Sequence, residues 1–181
     1  MADKVFEPTE QALDKLKNDE FYYGEYGRQY LSNSDIIYLL KNPTQFRVPK
    51  LRTKPMVVGS YFHACMIEPD KVKDFKIADV SSRSTKAYRE LCPQDDIIML
   101  RHEADHVDSL VEKMKGNLEM YDFIYAEGNE YEVPAVEQIM ANWWKGKADI
   151  VHKDYLIDIK TSSDIDKFLC KIGRASCRER V

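Results

Sequence analysis

The hydrophobic and polar pattern of the first two thirds of the chain predicts helices. The segment "LSNSDIIYLLKNPTQF" offers an N-cap at Ser32 or Ser34, and its helix is expected to end before Pro43. A second, shorter helix is predicted over "VVGSYFHACMIEP", and Pro69 is expected to end it. The segment "VSSRSTKAYREL" is predicted to be a polar loop. A long helix is predicted from about residue 95 to 120, because its apolar positions alternate at spacings of four and three: Leu100, Ala104, Val107, Val111, Met114 and Leu118.

From Tyr131 onward the pattern changes to that of strands. Three strands are predicted over "YEVPAVEQI", "WWKGKADIV" and "YLIDIKT", and "SSDIDKFL" then has the pattern of the start of another helix. Helices followed by a strand meander favour an α/β or α+β fold.

The last two predicted strands carry two acids and a lysine among apolar and β-branched residues. If the strands join through a two-residue turn at Lys153-Asp154, Asp149 lies opposite Asp158, and strand periodicity puts Lys160 on the same face as Asp158. Like charges placed opposite each other destabilise a sheet, so two such carboxylates either share a proton or hold a cation. The nearby lysine and an expected low solvent access favour the cation.

A hard divalent ion such as Mg²⁺ prefers carboxylate oxygens and is completed by substrate phosphates. An ammonium group beside such an ion helps to deprotonate the attacking water and neutralises charge on phosphorus. The pattern is therefore typical of phosphodiester hydrolysis. The alternative is a surface strand whose polar face happens to carry Asp158 and Lys160, since Asp-x-Lys alone is a weak motif.

These residues resemble the PD-(D/E)xK nuclease superfamily, and in particular its exonuclease VIII (RecE-like) branch of phages and prophages. In that branch one aspartate closes a strand, as Asp149 does, and the next strand carries Asp-x-Lys-Thr, matched by Asp158 and Lys160. An upstream helix carries Gly-xxx-His followed by Glu-Pro. That upstream pattern is matched by Gly59, His63, Glu68 and Pro69. The resemblance extends from about Tyr30 to Lys171.

The resemblance implies a fold, a site and a reaction. The fold would be a restriction-endonuclease-like core: α/β, with a mixed sheet whose central hairpin is flanked by helices. His63, Asp149, Asp158 and the backbone carbonyl of Ile159 would bind Mg²⁺ or Mn²⁺, and Lys160 would activate the attacking water. The reaction would be 5′→3′ digestion of double-stranded DNA from its ends in the cytoplasm of a bacterial host. A single-strand annealing recombination protein would be the partner, and some members of the branch form homo-oligomers.

Three further side chains are weaker candidates. Glu132 shares a face with Asp149 if the preceding hairpin turns at residues 141–142, although a solvated strand residue is the plain alternative. Arg83 and Lys86 could contact DNA phosphates, or could simply belong to a solvated loop.

Two other functions compete with the nuclease. "HEADH" satisfies the HExxH pattern of zinc metalloproteases, with His102 and His106 as ligands and Glu103 as base. However, the apolar stripe of this helix leaves both histidines near its solvent side. There is also no clear third zinc ligand, since the only support for Glu127 is its distance along the chain. The other competitor is a catalytically inactive DNA- or protein-binding module of nuclease fold.

Composition sets broad limits. The chain has 181 residues, 44% hydrophobic and 32% charged, which is typical of one soluble domain without a signal peptide or membrane span. Its four cysteines lack a framework spacing, which favours free thiols in a reducing cytoplasm. The last ten residues, "IGRASCRERV", match the translation of a common sequencing adapter. We therefore expect residues 172–181 to be non-native and 1–171 to be the N-terminal part of a single nuclease domain. The family's Gln-xxx-Tyr helix would follow.

Removing that tail takes away three arginines and one glutamate, which changes the formal net charge from -4 to -6. A net charge of this sign predicts no general attraction to polyanions.

Overall fold

The computed structural model describes residues 10–49, 51–92 and 97–162. The helix predicted over "SSDIDKFL", apart from its first serine, and the expected tail lie outside these ranges. The described helices are α1 (Glu10–Lys17), α2 (Asp19–Tyr23), α3 (Asn33–Lys41), α4 (Lys54–Ile67), α5 (Lys86–Leu91), α6 (Arg101–Gly116) and α7 (Leu118–Ile124). The described strands are β1 (Ile77–Ala78), β2 (Met99–Leu100), β3 (Glu130–Ile139), β4 (Asn142–Val151) and β5 (Leu156–Ile157). Short 3₁₀ helices cover Gly27–Gln29, Pro43–Gln45 and Pro69–Asp74.

The chain divides into two compact units. The first contains residues 1–52 and 112–158, and the second contains residues 53–111 and 159–181. None of the described helices is long and apolar enough to cross a membrane.

In the first unit, α3 confirms the predicted helix. Ser32 is its N-cap, and its backbone N–H and hydroxyl donate to the Asp35 carboxylate at 2.8 and 2.9 Å, as in a capping box. The helix ends at Lys41. Asn42 follows, and because it precedes Pro43 it is disfavoured in the α conformation.

A three-stranded antiparallel sheet, in the order β3-β4-β5, forms the centre of the first unit. β3 and β4 join through Met140-Ala141, because Ile139 pairs with Asn142. The predicted turn at residues 141–142 is therefore wrong by one residue. Met140 and Ala141 have φ values of 49° and 62°. A two-residue turn with both central residues at positive φ matches the right-handed twist of the strands, and it was missed because neither residue is the usual Asn or Gly.

The turn between β4 and β5 confirms the prediction. Val151 pairs with Leu156 and Ile150 with Ile157. The N–H of His152 donates to the carbonyl of Tyr155 at 3.0 Å, which leaves residues 153 and 154 as the two-residue turn.

One face of this sheet is covered by helices. Leu16, Tyr22 and Tyr30 form a buried cluster, and the partly buried Val136 and Trp143 pack against it from β3 and β4. Val136 is even-numbered and Trp143 is odd-numbered, and side chains alternate along each strand. The covered face therefore carries the even positions of β3 and the odd positions of β4.

The second unit contains α4, α5, most of α6 and a parallel pair of strands, β1 and β2. The α4 helix confirms the second predicted helix, and Glu68 ends it before Pro69. The second half of the predicted polar loop forms α5 instead, because the Thr85 hydroxyl accepts a hydrogen bond from the Tyr88 N–H at 3.2 Å and caps the helix.

The single long helix predicted over residues 95–120 is wrong. Met99 and Leu100 form β2, α6 ends at Gly116, and Asn117 starts α7 by accepting a hydrogen bond from the Met120 N–H at 3.1 Å. The apolar stripe holds within α6, where Ala104, Val107 and Val111 are buried. The predicted α/β class is confirmed, and the described strands lie in one parallel and one antiparallel sheet.

Candidate metal centre

Two acids lie on paired strands of the sheet in the first unit and a third follows β5 directly, and we refer to Glu132, Asp149 and Asp158 as the acid row. The pairs Tyr131–Ile150 and Val133–Ala148 flank Glu132 and Asp149, which are therefore opposite each other. Extending the β4–β5 register one residue beyond Ile150–Ile157 puts Asp158 opposite Asp149 on the other side. Glu132 and Asp149 are half-buried, and each offers a carboxylate oxygen within 4.8 Å of the other.

Glu132 has an unusual backbone. Its φ is 53°, in the left-handed region that non-glycine residues rarely occupy, and the ladder pairs on both sides of it skip this position. Strained residues of this kind are kept where the surrounding structure fixes them, often at functional sites. The expectation that Glu132 shares a face with Asp149 is confirmed, although the turn that produces it differs from the predicted one.

The donor chemistry of the row fits a hard divalent cation. Carboxylate oxygens are the ligands that Mg²⁺ and Mn²⁺ take in proteins, and a cation would offset the repulsion between neighbouring carboxylates. Asp158 and Lys160 are exposed, so the low solvent access predicted for the hairpin is wrong for these two side chains. The reason is that β5 is the edge strand of the sheet that the structure describes, and its assigned part ends at Ile157, before both residues.

Two lysines precede Asp149 on the same covered face of β4. The Lys147 ammonium lies 2.7 Å from Asp19 Oδ1 and 3.2 Å from Glu132 Oε2, and its side chain is only 6% exposed. Burial alone would lower the pKa of Lys147, but Asp19 and Glu132 outweigh that effect and raise it. Lys145 instead donates to the backbone carbonyl of Tyr22, and burial lowers its pKa to about 8.

In the second unit, His63 lies on α4 and is partly buried. Its Nδ1 is 3.5 Å from Oε2 of Glu68, the acid of the Glu-Pro pair that ends the helix. Gly59 lies one turn earlier, and a Cβ there would stand 3.4 Å from the Thr161 hydroxyl oxygen. The glycine therefore lets α4 approach the segment that follows Lys160 closely, which gives the Gly-xxx-His spacing a steric reason.

Arg83 and Glu103 form a buried ion pair in the second unit. The Arg83 guanidinium donates to both Glu103 oxygens at 2.7 and 2.6 Å, and Lys54 lies 2.9 Å from Glu103 Oε1. Glu103 also accepts from the Leu100 N–H. The hydrogen bonds from Arg83 lower the pKa of Glu103 to about 2, despite its burial. Arg83 is thus held inside the unit, whereas Lys86 is largely exposed.

This ion pair also bears on the protease pattern. Glu103 would have to act as a general base, but its carboxylate is occupied by Arg83, Lys54 and a backbone N–H. His102 and His106 are both exposed, as the helix pattern predicted. The pattern therefore describes a solvated helix face with a structural glutamate between the two histidines.

Sequence reasoning did not single out Lys145, Lys147 or Asp19. The alternation in "KGKAD" places Lys145, Lys147 and Asp149 on one strand face, so the lysines could have been found from the same periodicity that located the acids. Asp19 could not, because it comes from a helix more than a hundred residues earlier.

Comparison with known protein families agrees with this arrangement. Residues 40–171, more than two thirds of the chain, match the family described as PDDEXK-like domain of unknown function (DUF3799). The chain belongs to this family. The match supports the PD-(D/E)xK superfamily and a nuclease-type function that uses divalent metal ions. No curated protein and no solved structure matches the chain.

Proposed function

We propose that this protein is a metal-dependent deoxyribonuclease that hydrolyses phosphodiester bonds of double-stranded DNA. The observation that carries the proposal is the acid row, with carboxylates on β3, on β4 and directly after β5, in a chain of PDDEXK-like type. A structural role alone gives no reason to place like charges opposite each other.

Asp149, Asp158 and the carbonyl of Ile159 would hold Mg²⁺ or Mn²⁺, with Glu132 beside them. The resemblance adds His63 as a nitrogen ligand. The bound ion would supply positive charge to the scissile phosphate and to the attacking water. Lys160 would orient that water and stabilise negative charge that develops on the phosphoryl oxygens. The exposure of Asp158 and Lys160 suits a substrate that must reach them from solvent.

The finer part of the proposal follows the exonuclease VIII resemblance. The substrate would be the end of linear duplex DNA, digested 5′→3′, and the product strand would pass to a single-strand annealing protein. Lys86 is our candidate for a phosphate-backbone contact, because its ammonium is exposed. Arg83 is not included, because its guanidinium is bound to Glu103.

The test is digestion of end-labelled linear duplex DNA in Mg²⁺ or Mn²⁺, with closed circular DNA as the substrate without ends. We expect digestion of the linear form, release of the 5′ label first, and loss of activity in EDTA. Asp158→Asn and Lys160→Met should each lower the rate by at least a hundredfold.

The matched control is His106→Ala, an exposed residue that should leave DNA digestion unchanged. Digestion of both DNA forms would support a nuclease but contradict the exonuclease. No digestion with either ion, together with binding of duplex DNA, would favour the inactive binding module.

A further inference from the structure

Lys147 is a buried charge with a specific arrangement of partners. An ammonium group removed from water is costly unless carboxylates compensate it, and here two do so from different parts of the chain. Asp19, at the start of α2, lies 2.7 Å from the amine, and Glu132, on β3, lies 3.2 Å from it. The aromatic ring of Tyr22 lies 4.8 Å from the same amine. The lysine is therefore held by α2 on one side and by the acid row on the other.

Glu132 is the member of the acid row that Lys147 contacts. Its backbone is in the left-handed region, with a φ of 53°. Its carboxylate lies near that of Asp149, and two neighbouring negative charges repel each other. Lys147 offsets that repulsion and binds Oε2 of Glu132.

We propose that Lys147 is a positioning residue: it holds the Glu132 carboxylate beside Asp149 and ties it through Asp19 to α2. Lys147 acts through Glu132 and does not itself bind the ion. Groups that orient metal ligands commonly change metal affinity by ten- to a hundredfold. The inference rests on the proposed metal site, and it predicts that Lys147 favours ion binding although its own charge is positive.

The experiment is calorimetric titration of Mn²⁺ into the protein and its Lys147→Met variant, with folding checked by circular dichroism. We expect the affinity to fall by about tenfold. The matched control is Lys145→Met, since Lys145 lies two residues earlier on the same strand face, stands 4.2 Å from the same Tyr22 ring, and donates to a backbone carbonyl rather than to a carboxylate. The control should bind Mn²⁺ as the wild type does. Unchanged or tighter binding by Lys147→Met would overturn the proposal.

A double-mutant cycle separates positioning from a general structural effect. Glu132→Gln keeps the shape of the side chain but removes its charge, and we expect Lys147→Met to cause no further loss of Mn²⁺ affinity in that background. An equal loss in both backgrounds would show that Lys147 does not act through Glu132. If Lys147→Met does not fold, Asp19→Asn takes its place in the cycle. That substitution removes the charge of one of the two carboxylates that bind Lys147, and it leaves the amine present.

The reference variant for the site itself is Asp149→Asn. If Asp149→Asn binds Mn²⁺ as tightly as the wild type, the proposed metal site fails. If Asp149→Asn loses binding while Lys147→Met keeps it, only the role of Lys147 fails.

Discussion

At the scale of single residues, three buried or half-buried charges differ in how their burial is offset. Glu103 is paired with a bidentate arginine, Lys147 is shared by two carboxylates, and Lys145 has a backbone carbonyl and an aromatic face. Pairing lowers the pKa of Glu103 and raises that of Lys147, whereas burial dominates for Lys145 and lowers its pKa. The lowered pKa values of Glu103 and Lys145 make stability rise with pH in two separate ranges, whereas the raised pKa of Lys147 makes stability fall at high pH.

Replacing Glu103 by Gln should destabilise the fold by about 3 kcal/mol at neutral pH, because Arg83 loses its carboxylate partner inside the unit. The pKa of Glu103 is lowered to about 2, so its contribution is fully present above the ordinary value of 4.5 and is lost as the pH falls toward 2. Urea unfolding of the wild type and the variant between pH 2 and 7 measures this difference.

The control for this prediction is Asp105→Asn, an exposed acid on the same helix, which should change stability by less than about 0.5 kcal/mol. A difference between wild type and Glu103→Gln that stays constant from pH 7 to pH 2 would contradict the ion-pair explanation.

Lys145 should show a dependence of the same sign in an alkaline range. Its pKa is lowered to about 8, so between pH 8 and 10.5 the unfolded chain binds a proton that the folded chain does not. The stability of the wild type relative to Lys145→Met should therefore increase as the pH rises through this range. Thermal unfolding at pH 7 and at pH 10 measures the change, and a relative stability that falls with pH would show that the amine is not buried as described.

At the scale of elements, local pairing and capping could be predicted from the sequence, but breaks in regular patterns could not. The capped helix α3 and the β4–β5 register follow from nearby residues, and the structure confirms both. The break at Asn117 was missed because the apolar spacing continues across it. The β3–β4 turn was missed because its residues are unusual for positive φ. Among the described non-glycine residues, positive φ values occur at Arg47, Glu132, Met140 and Ala141.

The turn between β3 and β4, at Met140-Ala141, can be made more stable by substitution. Replacing Met140 by Asn and Ala141 by Gly should stabilise the protein by about 1 kcal/mol or more, because Asn and Gly tolerate the left-handed backbone that both positions have. Thermal unfolding measures the gain. The matched control puts Asn-Gly at Lys153-Asp154, the other two-residue turn, which lacks positive φ. An equal gain at both turns would contradict the backbone explanation.

At the scale of the whole molecule, the candidate site was only partly predictable. The register expected for Asp149 and Asp158 follows from strand periodicity and a turn of two residues, both of which are local, and the structure confirms the turn. The ion pair of Lys147 with Asp19 joins residues 128 positions apart, and sequence alone gives no distance between them. Membership of the PDDEXK-like family indicates a nuclease-type function. The acid row contains the carboxylates that could bind the metal ion for such a function.

Binding of a divalent ion should stabilise the folded protein. At an ion concentration ten times Kd the expected gain is about 1.4 kcal/mol, because only the folded chain brings the acid row together. Differential scanning calorimetry with and without Mg²⁺ measures it. Asp149→Asn should show no gain, and a gain of equal size in that variant would assign the stabilising ion to another part of the molecule.

The most direct measurement for the metal centre is a crystal grown with Mn²⁺ and measured at the manganese absorption edge. An anomalous peak within about 2.5 Å of oxygens of Asp149 and Asp158 is the result that we predict. A peak at His102 and His106 with none at the acid row would contradict the nuclease and favour the zinc-protease pattern. Full Mn²⁺ occupancy elsewhere, with none at the acid row, would also contradict the account.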